Sequence, residues 1–81
     1  MKFHYIYILQ SERDSGRFYV GHTDDLKTRL REHNRGECDY TASFRPWRIK
    51  TAIALSDEIQ ALKLERYLKS PSGRAFAKKR L

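Results

Sequence analysis

Apolar residues crowd the start of the chain without alternation, with Tyr5, Ile6, Tyr7, Ile8 and Leu9 following directly on one another. A near-continuous run of aromatic, β-branched and aliphatic residues predicts a strand over 3–9 that is covered on both faces and therefore central in its sheet. Residues 10–15 are polar and turn-like, and Gly16 supplies backbone freedom. Residues 17–21 then return as the second strand of a hairpin, with Phe18 and Val20 on one side and Tyr19 on the other.

The period changes after the hairpin. Thr23 reads as an N-cap, with Asp24 and Asp25 against the positive end of a helix that runs over 24–34 and stops before Gly36. On it Leu26 and Leu30 are placed to face the core, and Arg29 and His33 form a second i,i+4 row about 100° away. Residues 36–43 read as a loop, and 48–55 as a third strand preceded by Pro46 and Trp47. Ser56-Asp57-Glu58 opens a second long helix by the same capping logic, running to Lys69. Ser70-Pro71-Ser72-Gly73 breaks it, leaving 74–81 as a short basic helix. The order ββαβαα, with a hairpin feeding a helix, predicts an α+β fold in which a small antiparallel sheet packs against helices.

With 81 residues and no linker or repeat, one domain over 1–81 is expected. A hydrophobic share of 40% with ten aromatic residues suffices for a globular core. The lone Cys38 excludes an internal disulfide framework and fits a reducing compartment. No stretch approaches the roughly 20 apolar residues of a membrane span. The start of the chain enters a strand without the layout of a signal peptide, so the cytoplasm is the expected location. The net charge of +7 changes the picture more. Between Lys63 and Leu81, seven basic residues stand against Glu65 alone, a local balance of +6. Such a surface concentrates polyanions, and no broad apolar face accompanies it as a membrane-surface helix would require. Nucleic acid is the favoured partner, with Lys63, Arg66, Lys69 and Arg74 as candidate contacts. A solvated basic tail is the plainer reading. Phe44, Trp47 and Tyr40 could anchor a protein partner, or simply pack their loop onto the core.

One residue breaks its pattern. Ala61, Leu64 and Leu68 form an apolar stripe on the second long helix, and Glu65 lies in or beside it. An ionised carboxylate near a core costs several kcal/mol unless it is paired or bound to a metal. Pairing with Lys69 or an arginine is one resolution, and metal ligation the other. Asp24, Asp25, Asp57 and Glu58 read as caps and first-turn acids, so one useful glutamate fits a single hydrated hard cation rather than two metals. One Cys and three His (4, 22 and 33) at no recognised ligand spacing argue against zinc.

Taken together, Tyr5-Ile6-Tyr7, eleven intervening residues, Tyr19-Val20-Gly21, then Arg29, His33 and Glu65 resemble the GIY-YIG nuclease superfamily. The likeness covers nearly the whole chain and is similar in detail to small bacterial proteins that consist of this domain alone. Tyr19 with Gly21, Thr23, Leu26, Arg29 and the Glu32-His33-Asn34 ending, the Arg45-Pro46-Trp47 segment, and Ala61-Leu62 with Leu64-Glu65 carry it. Tyr5 stands where the family's namesake has glycine, His22 where an aromatic is usual, and no asparagine follows Glu65.

The resemblance implies a three-stranded antiparallel sheet flanked by helices, with the active site on one sheet face. It implies a metal-dependent endonuclease hydrolysing DNA phosphodiesters. Such an enzyme would be directed by DNA structure rather than sequence, would act in DNA repair or processing, and could take a protein partner for targeting. Either Tyr7 or Tyr19 would be the general base, and Gly21 would let backbone and phosphate approach closely. Arg29 would hold the scissile phosphate, His33 would position water, contact phosphate or assist proton transfer, and Glu65 would ligate one Mg²⁺ or Mn²⁺. A non-catalytic nucleic-acid-binding module on the same scaffold is the alternative.

Overall fold

A computed structural model describes residues 1–81. Its elements are β1 (His4–Ser11), β2 (Phe18–Thr23), α1 (Leu26–Asn34), α2 (Asp39–Ala42), β3 (Trp47–Leu55), α3 (Glu58–Lys69) and α4 (Pro71–Arg80). The three strands form one antiparallel sheet in the order β2-β1-β3, so the uninterrupted apolar run is indeed the central strand. Helices cover both faces, giving the α+β architecture expected from the sequence. No helix is long and apolar enough to cross a membrane.

The sheet sorts its side chains into two packed layers. Ile6 is sealed against Ala61 and Leu68 of α3, with Val20, Leu55, Leu64 and Ala77 around them. Tyr7 and Leu9 point the other way, onto Trp47, with Tyr19, Leu26, Leu30, Phe44 and Ile49 completing that cluster. β3 serves both layers because its register against β1 slips. Ile8 pairs with Thr51 but Leu9 with Ile49, so Lys50 is the extra residue of a bulge. The bulge turns Ile49 and Trp47 to the face opposite Ile53 and Leu55. Trp47 is thereby buried, which removes it as an exposed anchor.

Several boundaries differ from the sequence reading, each for a local reason. Thr23 does not cap α1. It continues β2 opposite Tyr5, and its Oγ1 accepts from the Asp25 amide at 3.1 Å. The cap is Asp25, whose carboxylate accepts from the Thr28 amide at 3.1 Å and the Thr28 hydroxyl at 2.8 Å. Gly36, at φ 80°, follows the end of α1 as expected. The stretch read as loop contains α2, whose first turn closes on the Cys38 carbonyl. The element order is therefore ββααβαα. The last helix begins at Pro71 rather than Arg74, because Ser70 ends α3 and caps α4 with its hydroxyl on the Gly73 amide at 3.2 Å. A proline in the first turn sacrifices no hydrogen bond.

Asn34, the last residue of α1, pairs with the backbone of Trp47 as a strand would. Its Oδ1 accepts from the Trp47 amide at 2.6 Å and its Nδ2 donates to the Trp47 carbonyl at 3.0 Å. The Trp47 indole then donates to the Thr41 carbonyl at 2.8 Å, fixing α2 between α1 and β3. Asn34→Ala leaves both Trp47 groups without these partners and is expected to destabilise the fold by about 1–3 kcal/mol in equilibrium chemical denaturation.

Candidate active site

The centre of the Tyr7 face is a hydrogen-bonded chain rather than an apolar contact. Tyr7, in mid-β1, meets His33 Nε2 through its hydroxyl at 3.0 Å. His33 Nδ1 lies 2.8 Å from Thr41 Oγ1, and the Thr41 hydroxyl lies 3.2 Å from the Cys38 carbonyl. The direction of the chain follows from its fixed end. A carbonyl only accepts, so Thr41 donates to it and leaves its oxygen to accept from His33 Nδ1–H. Nε2 is then the bare nitrogen, and the Tyr7 hydroxyl donates to it.

Burial maintains this state. His33 is only 2% exposed, and desolvation, helped by the Arg29 charge, lowers its pKa below the ordinary 6.5. The imidazole is therefore neutral near pH 7. The sequence pattern placed Leu26 and Leu30 as the inward residues of α1, yet the buried residue of that helix is His33. A histidine can sit there because both ring nitrogens are paired. Tyr7 is shifted the opposite way. Burial pushes its phenol well above the usual value of 10, Tyr19 and Glu65 add to the shift, and Arg29 opposes it. The protein alone does not create a ready phenolate. It creates a phenol whose proton already has an acceptor.

Gly21 acquires its reason here. It pairs with Tyr7 across β1 and β2, and a Cβ at this position would lie 2.8 Å from Tyr7 Cε2 and closer still to its Cζ and Oη. The space where a side chain would stand is taken by the Tyr7 ring. Tyr19 packs beside this pair, with ring centroids 6.4 Å from Tyr7 and 5.0 Å from His33. Its hydroxyl joins no hydrogen bond of the chain and is not sealed from solvent.

Glu65 and Arg29 bring charge to the tyrosines from two helices. α3 packs on the Ile6 face, but β2 is an edge strand, and Lys69 sets its Nζ 5.8 Å from the Tyr19 ring centroid. Glu65 Oε2 pairs with that Lys69 at 3.1 Å, with the Glu65 side chain 21% exposed. Glu65, Lys69, Arg66 and Leu62 line a shallow cavity of about 330 Å³. Arg29 is half-exposed, pairs with Glu32 at 3.5 Å, and borders a separate cavity of about 250 Å³ with His4, His22, Thr23, Asp24 and Glu58. Lys63 and Arg74, the other expected contacts, are exposed but line neither cavity.

The single carboxylate at the Tyr19 end suits one hard cation that keeps most of its water. It does not suit an ion pair of the two-metal kind, since the chain's one cluster of three possible ligand groups lies elsewhere, at His4, His22 and Glu58. Lys69 holds the Glu65 oxygen a cation would need, so the two compete. Sequence reasoning missed Thr41, which orients His33, and the meeting of His4 and His22 with Glu58. Neither leaves a trace in linear spacing.

Comparison with known proteins gives a consistent result. A family model described as the GIY-YIG catalytic domain matches residues 3–80. A UPF0213 protein of Lacticaseibacillus paracasei is 39% identical over 69 residues, covering 84% of this chain and 75% of that protein. The structure-specific endonuclease subunit SLX1 of Scheffersomyces stipitis is 39% identical over 70 residues, covering 78% of this chain but only 21% of SLX1. The solution NMR structure of the UPF0213 protein BH0048 from Bacillus halodurans superposes with a TM-score of 0.57 at 28% identity, covering 95% of this chain and 83% of that one.

Two outcomes are expected. Gly21→Ala must displace the Tyr7 ring and should cost about 1–3 kcal/mol in denaturant titration, as overpacking does. The His33 imidazole is harder to protonate in the folded chain than in the unfolded one, so it contributes stability above pH 6.5 that is lost as pH falls through the lower folded value. The thermal midpoint should therefore drop between about pH 7 and about pH 5, and drop less in His33→Gln.

Proposed function

The chain belongs to the GIY-YIG family, and on that premise we propose that it is an endonuclease hydrolysing phosphodiester bonds in DNA, with Tyr7, His33, Arg29, Tyr19 and Glu65 as its working groups. The observation that carries the reading is the Tyr7–His33 hydrogen bond of 3.0 Å, which gives a high-pKa phenol an acceptor for its proton. A base is what attack by water on a phosphodiester requires.

In this mechanism Tyr7 is a relay. As water attacks phosphorus, its proton passes to the Tyr7 oxygen while the Tyr7 proton passes to His33 Nε2. The new O–P bond forms and the bond to the departing 3′-oxygen breaks. His33 keeps Nδ1–H on Thr41 throughout, so the ring does not turn. Tyr19, whose hydroxyl is unengaged, orients the attacking water or a non-bridging oxygen. Arg29 presents a guanidinium to the phosphate as negative charge grows on it. Glu65 would hold a divalent cation, which when bound supplies Lewis-acid stabilisation of the phosphate and the leaving oxygen. Lys69, released from Glu65, and the neighbouring Arg66 remain as cations for the DNA backbone.

The SLX1 relatives are described as structure-specific endonuclease subunits, which supports a preference for branched, flapped or nicked DNA over a base sequence. The chain offers a basic surface, and such surfaces grip phosphates without reading bases. A role in DNA repair or processing, a cytoplasmic setting and a targeting partner are parts of the same proposal.

Purified protein with branched, nicked and single-stranded DNA in Mg²⁺ or Mn²⁺ provides the test. Tyr7→Phe is expected to lower the single-turnover rate by about 10²–10⁴-fold, and Arg29→Ala by about 10²–10³-fold. Glu65→Ala should abolish metal-dependent cutting while salt-sensitive DNA binding persists. Cutting unchanged in Glu65→Ala and Arg29→Ala would overturn the assignment. Salt-sensitive binding without any cleavage would leave the fold as a binding module.

A further inference from the structure

His4 opens β1, His22 lies in β2 and Glu58 stands in the first turn of α3. None of the three has a part in the proposed hydrolysis. One ligand atom from each converges to within 4.8 Å of the others, and His4 Nδ1 lies 4.0 Å from a Glu58 oxygen. We propose that these three residues form a transition-metal site, of the Zn²⁺ or Co²⁺ kind, that fastens the start of α3 to the end of the sheet.

The placement is built by the fold. His4 shares its sheet face with Ile6, and His22 is paired with Ile6 across the strands, so both imidazoles emerge on the face that α3 covers. Their rings lie 6.1 Å apart and stack at 24°. Glu58 precedes Ala61, Glu65 and Leu68 along one stripe of α3, so its carboxylate descends toward the histidines where the apolar core stops.

Three observations favour a cation of this class. First, Nε2 of His22 is buried with no hydrogen-bond partner, the only such side-chain atom in the protein. A buried polar atom left unpaired costs about 1–3 kcal/mol, and no protein group relieves it. Second, the cavity the three residues share with Thr23, Asp24 and Arg29 is lined by polar residues alone, and while Asp24 is taken up by Lys2 at 2.8 Å, Glu58 has no cationic side chain against it other than what His4 can offer. Third, two imidazoles and one carboxylate are borderline ligands that favour zinc-like ions over Mg²⁺. Bonds of about 2.0–2.1 Å place tetrahedral ligands about 3.3 Å apart. The Glu58 side chain, 60% exposed, is free to make that closure.

The site has a consequence for the helix it fastens. Glu58 and Glu65 are seven residues apart on α3, about 10.5 Å along the axis. A metal at Glu58 fixes the height and rotation of the helix that carries Glu65, while Arg29 borders the same cavity. The His4–His22–Glu58 site and the Glu65 carboxylate are thus separate in chemistry but mechanically linked.

The test uses the full chain after chelator treatment, with metals added singly. Zn²⁺ is expected to bind with one-to-one stoichiometry by calorimetry and to raise the thermal midpoint, and Co²⁺ to give visible absorption of a low-coordinate site. Mg²⁺ at the same concentration should give no visible absorption and no thermal shift that Glu58→Gln removes, since its expected ligand is Glu65. Glu58→Gln, an exposed substitution that leaves the core intact, and His22→Gln should each weaken Zn²⁺ binding by at least about tenfold. Glu65→Gln should leave it unchanged. Zn²⁺ affinity unaltered in Glu58→Gln, or an equal Mg²⁺ thermal shift that Glu58→Gln also removes, would overturn the proposal. Because the readouts are binding and stability, they are independent of whether the protein cuts DNA.

Discussion

A neutral imidazole held in a closed space between a phenol and a threonine is the constraint around which this small fold is arranged. His33 can be buried only if both nitrogens are paired, and Tyr7 and Thr41 pair them at 3.0 and 2.8 Å. Each partner is in turn held by something further away. Tyr7 occupies the space left by Gly21, and α2, which carries Thr41, is fixed by the Trp47 indole. Trp47 is itself held at its backbone by Asn34, one residue beyond His33. The loop from α1 to β3 thus closes on its own start. This explains why so few fully buried apolar residues suffice. Ile6, Leu9 and Leu68 seal the two layers, at about 1.5–3 kcal/mol each, and polar pairing defines the geometry between them.

The same arrangement organises charge. The protein is basic overall, yet its carboxylates are not scattered evenly. Asp25 and Asp57 cap helices, and Asp24 pairs with Lys2 at 2.8 Å. Asp14, Glu32 and Glu37 pair with arginines, and Glu58 and Glu65 share the α3 stripe of Ala61 and Leu68. One meets two histidines, and the other meets Lys69 beside Tyr19. Because β2 is an edge strand, groups from α3 and from α1 reach the tyrosines from opposite sheet faces. A longer or wider sheet would separate them. The narrow sheet is therefore part of how the site is assembled.

The strands, the long helices and the central place of β1 were legible because each is written in local periodicity. So was the oddity of Glu65, since a carboxylate beside Ala61, Leu64 and Leu68 violates a pattern that can be read residue by residue. Thr23 was misplaced because a hydroxyl before two acids looks like a cap, while strand pairing with Tyr5 outweighed that local preference. The burial of His33 was hidden for a different reason. Helical periodicity marks Leu26 and Leu30 as inward, and only the tertiary arrival of Tyr7 and Thr41 makes an imidazole acceptable deeper in. The convergence of His4, His22 and Glu58 joins three elements and has no linear spacing at all. At Gly21 the group packed against the bare backbone is the Tyr7 ring, a contact between two strands that linear spacing does not reveal.

The protonation state of one ring therefore carries most of the weight, and nitrogen NMR of ¹⁵N-histidine-labelled protein reads it directly. His33 should show Nδ1 protonated and Nε2 bare at neutral pH, titrate below the ordinary value of 6.5, and shift at Nε2 when Tyr7 is replaced by Phe. A proton resident on Nε2, or a midpoint at or above 6.5, would contradict the relay.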